Sequence, residues 1–242
     1  MRQLLEDKVS GNLLGLWLLI PEHLRLGTWD LLRTWSGGAA QEAPEPRLAL
    51  HLLHEAALCR PSLRAERSLR HRGLELINGL PWLPADSAVH DLLEAHTLQE
   101  AQQLQIDLGQ LRRASGHFPG QVLVLDPHRL LSYSKRDMLL RRPSAKEPPT
   151  KQLQTFFLLD AKSGQPLCLT LGSSARNLTG ATQELLRLAQ QILPQPPPDQ
   201  RPLIVADVEH FTAPLLDFVR QHTPFDLLVP LRQTSALRKH YQ

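Results

Sequence analysis

Apolar positions along the chain change their period near residue 117. Up to about Gly116 they recur at three- and four-residue intervals, the spacing of a helix face. From Gln121 onward they gather into short continuous runs of strand length, separated by turn residues and by two further helical stretches. In the first part, Trp29 to Trp35 is a short apolar segment followed by a linker rich in Gly, Ala, Pro and Glu from Ser36 to Pro46. Leu48, Leu52, Leu53 and Ala56 predict a helix over Arg47 to Cys59, stopped by Pro61. A second helix is expected from Ser62 to Ile77, with Asn78-Gly79 as its stop. A third starts near Asp86-Ser87, which read as an N-cap pair, and a fourth covers Leu98 to Arg113 behind the capping box Thr97-Leu-Gln-Glu100.

The second part reads strand, strand, strand, helix, strand, helix, strand. Val122 to Leu125 forms the first strand and ends at Asp126. After a polar stretch from Ser134 to Lys151, Thr155 to Leu159 and Leu167 to Leu171 flank Lys162-Ser-Gly-Gln165, the pattern of a hairpin. A helix from Thr182 to Leu193 is ended by Pro194. Leu203-Ile-Val-Ala206 is a fully apolar run suited to a buried parallel strand and stops at Asp207. Ala213 to His222 is the next helix, with Thr212 as its expected cap, and Leu227 to Val229 is the last strand. The expected organisation is a helical region over residues 1–116 and a mixed α/β domain over 117–242.

Composition narrows the function classes. The longest apolar run, Leu13 to Ile20, is broken by Gly15 and closed by Pro21, far short of the roughly 20 residues of a bilayer span. Glu6 and Asp7 precede it and no small-residue cleavage site follows, so it does not read as an export signal, and a cytoplasmic protein is expected. Cys59 and Cys168 stand alone, without CxxC or Cys/His metal spacing, and read as buried reduced thiols. A net charge of +3 fits a nucleic-acid partner without requiring one.

The candidate chemistry lies where two apolar strands each run into an aspartate, Asp126 and Asp207. If the strands are parallel neighbours, about 4.8 Å apart, their carboxylates sit side by side at the C-terminal edge of the sheet, where open α/β sheets carry their sites. Such a pair repels unless a divalent cation lies between, and oxygen ligands suit Mg²⁺ or Mn²⁺. Each aspartate alone also reads as a turn former or helix cap.

The order of elements is that of an RNase H-like fold. The segments VLVLDPHRLLSYSKRDM (122–138), QTFFLLDAKSGQPLCLTLGSSARNLT (154–179), RPLIVADVEHF (201–211) and TPFDLLVPL (223–231), with GLWLLIPEHLRLGTWDLL (15–32), resemble DDE-type transposases of bacterial insertion sequences. The resemblance implies metal-dependent DNA strand cleavage and transfer. It makes Asp126 and Asp207 the catalytic metal ligands and transposon-end DNA the partner, and it leaves a homodimer open. It also implies a third acid, usually Glu, on a helix beyond the fifth strand. No acidic residue follows Asp226 in this sequence, so the expectation is a core cut short before its third acid.

Other residues divide between functional and structural readings. Glu209 is an outer-shell ligand candidate but reads better as an acid at a helix start, and His210 as a local hydrogen-bonding group. His128 reads as a solvated loop histidine. Lys135, Arg136, Arg141, Arg142 and Lys146 form a basic loop suited to DNA phosphates, or simply solvated. Arg64 and Arg67, with Arg60, Arg70 and Arg72, lie in or beside the second helix and suggest an end-binding helical module or a solvated bundle face. The four tryptophans read as packing residues. Besides the transposase, the sequence leaves open a catalytically dead DNA-binding remnant. It also leaves open another RNase H-like metal-dependent nuclease whose third acid would be Asp160 or Glu209.

Overall fold

The computed structural model describes residues 16, 18–37, 44–57, 78–80, 85–135, 137–142, 146–197 and 199–231. The chain divides into two compact units, Met1–Leu111 and Arg112–Gln242. The expected helix over 62–77, with Arg60, Arg64, Arg67, Arg70, Arg72, Trp82 and Cys59, lies outside the described residues, as do Trp17 and Arg136.

The first unit is helical: α1 (Leu19–Leu26), α2 (Thr28–Trp35), α3 (Pro44–Ala57), α4 (Asp86–Glu94) and α5 (Leu98–Ala114), the last running into the second unit. Gly27 separates α1 from α2 at φ 75°, a left-handed cap that glycine adopts without a Cβ penalty. Leu32, Leu48, Ala49, Leu50, Val89 and Leu92 form the buried core, with Trp29 and Trp35 packed against it, as the packing reading of these indoles expects. Trp35 also stacks on His96, ring centroids 3.9 Å apart. α4 opens at Asp86, so its N-cap residue is Ala85 and not Asp86 or Ser87. The capping box forms. Thr97 N–H donates to Glu100 Oε2 at 2.7 Å and Glu100 N–H to Thr97 Oγ1 at 3.2 Å, and the Thr97 N–H together with its hydroxyl, 2.9 Å from the same oxygen, holds the Glu100 carboxyl below its usual range. Thr97→Ala is expected to cost about 1 kcal/mol. Urea unfolding read by tryptophan fluorescence checks this, because all 4 tryptophans precede residue 83.

The second unit holds β1 (Val122–Leu131), β2 (Leu140–Arg141), β3 (Thr150–Asp160), β4 (Pro166–Ser173), α6 (Leu178–Ile192), β5 (Leu203–Ala206), α7 (Ala213–His222) and β6 (Asp226–Leu228). In space the main strands run β4-β3-β1-β5-β6, with β2 joining the start of β3. β1 is antiparallel to β3 and parallel to β5, and β5 is parallel to β6. A meander whose first strand then takes a parallel neighbour, in this order, is the RNase H-like sheet that the order of elements predicts.

Period-two alternation sorts the sheet into two faces. Leu123, Leu125, Phe156, Leu158, Ile204 and Ala206 share one face by register and are buried. α6 covers this face with Ala181, Leu185, Leu186, Ala189 and Ile192, and Leu185 C=O accepts from the buried Cys168 thiol at 3.6 Å. Burial pushes that thiol far up, so it is inert, as expected of a packing cysteine. α7 packs on α6 and β6 through Leu215, Phe218 and Val219. The other face carries Val122, Leu130, Leu153, Leu169, Leu171 and Leu228, each between 37% and 56% exposed.

The structure moves several boundaries. β1 does not end at Asp126 but runs on to Leu131, because β3 extends back to Thr150 and keeps pairing with it from Phe157 to Gln152. The supposed polar stretch therefore contains β2 and the start of β3. α6 begins four residues earlier than expected, where the Asn177 side chain accepts from Thr179 N–H. Thr212 precedes α7 but makes no cap bond, and its hydroxyl meets that of Thr179 at 3.3 Å.

Candidate active site

β1 and β5 pair in parallel with Leu123 opposite Ile204, Val124 opposite Val205 and Leu125 opposite Ala206. The next residue on each strand is an aspartate, Asp126 or Asp207, one step past the last pair of this ladder. By alternation both belong with Val124 and Val205 on the face that α6 does not cover. The parallel ladder stops there because β5 gives way to a 3₁₀ turn, Val208–His210, whose N-cap is Asp207. Asp126 differs, sitting inside a strand that continues along β3, opposite Phe157. Each aspartate thus follows the last paired residue of its strand in this ladder, Leu125 or Ala206, and only Asp207 ends its strand.

The Asp207 carboxylate is clamped from its own chain. Oδ1 accepts from Glu209 N–H at 3.1 Å and from His210 Nδ1–H at 2.6 Å. A carboxylate only accepts, so His210 carries its proton on Nδ1 and donates. The His210 ring is fully buried, and among the described residues its Nε2 has no hydrogen-bond partner. This is the local hydrogen bonding that the sequence reading gave His210, and its partner is Asp207 itself. Among the described residues Asp207 Oδ2 and both oxygens of the exposed Asp126 take no hydrogen bond. Three carboxylate oxygens are thereby left for an outside group.

Glu209 turns away to Arg129 of β1, with Oε2 2.5 Å from Nη2 and Oε1 3.5 Å from Nη1. Sequence reasoning missed Arg129. Its signal was only a basic residue three positions after Asp126 in a run read as loop. The ion pair ties the 3₁₀ turn to β1, and with it Asp207 to the strand that carries Asp126. Both side chains are about 40% exposed, so the pair is worth at most about 1 kcal/mol.

Asp160, the other candidate for a third acid, is fully buried on the opposite face. Its carboxylate accepts from Gly120 N–H (2.9 Å), Ser163 N–H (2.8 Å) and Ser163 Oγ (2.8 Å). Burial pushes this carboxyl up, and the hydrogen bonds from Ser163, Gly120 and Lys162 outweigh it and hold it below the usual range. It closes the β3–β4 turn and fixes the entry to β1. The nuclease alternative that recruits Asp160 or Glu209 is therefore not supported by the geometry. Among the described residues no group of three or more His, Cys, Asp or Glu is placed to hold a metal ion.

Lys135, Arg141, Arg142 and Lys146 are exposed on the β1–β3 connection, Arg141 within β2. The five steps of β1 from Asp126 to Leu131 rise about 17 Å, so this connection begins a strand's length from Asp126. His128 is exposed, but in β1 rather than in a loop. No helix among the described residues is long and apolar enough to cross a membrane.

No family model matches the chain, and no curated protein matches it. Among solved structures it is similar to a Mos1 mariner paired-end complex with Mn, at 12% identity over 82% of this chain and 71% of that one, TM-score 0.31. It is similar to a Mos1 strand transfer complex at 13% identity, covering 86% and 77%, TM-score 0.31. It is also similar to a piggyBac transposase synaptic complex with hairpin DNA at 13% identity, TM-score 0.39, covering 90% of this chain but 44% of that one.

Proposed function

We propose that the second unit is the two-aspartate part of a DDE-type transposase core and that this chain acts on DNA. The observation that supports the reading is the β1–β5 register, in which Leu125 and Ala206, the residues just before Asp126 and Asp207, pair on an RNase H-like sheet. Two exposed carboxylates with oxygens to spare fit Mg²⁺ or Mn²⁺, which is commonly held by one or two carboxylates and completed by waters and phosphate oxygens. Such an ion, when bound, would activate an attacking water or hydroxyl and stabilise the leaving oxygen. The chain's own part is to hold and aim the ligands. His210 fixes Oδ1 of Asp207, Arg129 and Glu209 tie the 3₁₀ turn to β1, and Lys135, Arg136, Arg141 and Arg142 supply charge for backbone phosphates.

The test is Mn²⁺ titration of the full chain by calorimetry beside its Asp126→Asn and Asp207→Asn variants, with plasmid nicking in Mg²⁺ as the second readout. Each variant is expected to bind Mn²⁺ at least about tenfold more weakly, since a ligand should matter no less than the outer-shell groups that cost 10–100-fold. Unchanged affinity in both variants removes the metal site. A second reading, a DNA-binding remnant without chemistry, is favoured by the absence of a third metal-capable group among the described residues. It is recognised by DNA retention that weakens steeply with salt and by no Mg²⁺-dependent nicking.

A further inference from the structure

The first unit buries a chain of titratable groups that the proposed function leaves unused. His54 and His51 of α3 are 0% and 1% exposed, and Asn78, in the turn before Gly79, is also buried. His54 Nδ1 lies 2.5 Å from Asn78 Oδ1, and His54 Nε2 lies 3.2 Å from Nε2 of His23 on α1. Asn78 Nδ2 lies 3.2 Å from His51 Nδ1, and His51 Nε2 lies 3.4 Å from Glu55 Oε1. Glu22 of α1 and Arg47 of α3 are the other charged groups nearby, one engaged by Arg25 and the other by Gly79 C=O.

With the three rings neutral, hydrogen-bond logic assigns the protons along this chain. Asn78 Oδ1 can only accept, so His54 Nδ1 carries a proton and its Nε2 carries a lone pair. His23 Nε2–H must then donate to His54. Asn78 Nδ2 can only donate, so His51 Nδ1 accepts and its Nε2–H faces the Glu55 carboxylate. The ring nitrogens that face one another, Asn78 and Glu55 are all matched donor to acceptor when the three rings are neutral, while Glu55 Oε2 is buried without a hydrogen bond among the described residues. A further proton on His54 would require the His23 proton to move to Nδ1 so that Nε2 could accept, and would put a charge on a ring that is 0% exposed.

We propose that the His23–His54–Asn78–His51–Glu55 chain is a proton-sensitive latch that holds α1, α3 and the Asn78 turn together at neutral pH and loosens them in mild acid. The proposal does not depend on the DNA reading. Burial holds His54 below its ordinary value against the raising effect of the Asn78 bond, with His23 and His51 pushing the same way as burial. Burial also lowers His23, against the raising effect of Glu22. Both rings therefore take up protons on unfolding. The stabilisation is whole above the unfolded value of about 6.5 and fades as pH falls through the depressed folded values.

Urea unfolding of the full chain, followed by tryptophan emission from pH 8 to 5, tests this. No tryptophan follows Trp82, so the signal reports the helical unit. Below about pH 6.5 the folding constant is expected to fall about tenfold per pH unit for each proton taken up, approaching 100-fold for two. His54→Gln keeps the bond directions, its Oε1 accepting from His23 and its Nε2 donating to Asn78, but it cannot titrate. It should remove about one proton from the slope. A wild-type folding constant flat between pH 6.5 and 5, or an equal slope in His54→Gln, overturns the latch. Should His54→Gln fail to fold, His23→Gln at the half-buried end replaces it, with the same slope criterion.

Discussion

Asp160→Ala is expected to destabilise the second unit by about 1–3 kcal/mol. Removing the carboxylate strands the buried N–H of Gly120, and a buried donor left unmade costs about that much, while the N–H of the exposed Ser163 can turn to water. Gly120 cannot readily move to compensate. Its φ is +70°, and a Cβ there would lie 2.5 Å from Leu193 Cδ2, so β1 enters the sheet through a tight, glycine-dependent approach. Asp160→Asn, which keeps a carbonyl acceptor, should lose less. The pH dependence is separable. The folded carboxyl is held below the usual range, so its stabilisation is present above about pH 3.9 and is lost as pH falls below that value. Chemical unfolding followed by circular dichroism, or by hydrogen exchange in β1 and β3, gives the magnitudes. An alanine variant within 1 kcal/mol of the parent would mean that these hydrogen bonds are not what closes the β3–β4 turn.

His210→Leu is expected to separate metal affinity from stability. Leucine fills a similar buried volume and removes an Nε2 that has no partner, so the fold should be unharmed or slightly more stable. Asp207 Oδ1, however, loses its shortest hydrogen bond, and outer-shell partners of ligating groups are worth about 10–100-fold in metal affinity. Mn²⁺ calorimetry on the unliganded chain, beside its melting curve, reads both effects. A variant that melts earlier and binds Mn²⁺ as before would make His210 a core residue and not a positioning one. His210→Gln, which can offer an amide donor, should recover part of the affinity.

Much of this protein is legible in one dimension. The runs Leu203–Ala206 and Ala213–His222 appear in the structure with the boundaries their apolar patterns imply. The capping box at Thr97 and Glu100 forms because its partners are three residues apart and need nothing from elsewhere. The hairpin around Ser163 and Gly164 is equally local, and Gly164 supplies φ +67°. The parallel pairing of the two apolar runs that precede Asp126 and Asp207 was also readable, because the order of elements makes those runs neighbours.

What the tertiary structure alone decided depends on partners distant in sequence. β1 runs past Asp126 to Leu131 because β3, some thirty residues on, supplies hydrogen bonds to a stretch whose Asp-Pro-His-Arg looks like a turn. Arg129 reaches Glu209 across 80 positions, and Asp160 reaches Gly120 across 40. No periodicity encodes such pairs. The histidine chain is hidden for the same reason. His51 and His54 look like ordinary helix residues until α1 brings His23 and the turn brings Asn78. Local spacing and polarity determine which elements form, because propensity and turn chemistry act over a few residues. Which carboxylate becomes a buried strut, and which stays exposed, is set by packing, where desolvation must be matched by hydrogen bonds from whatever the fold brings near.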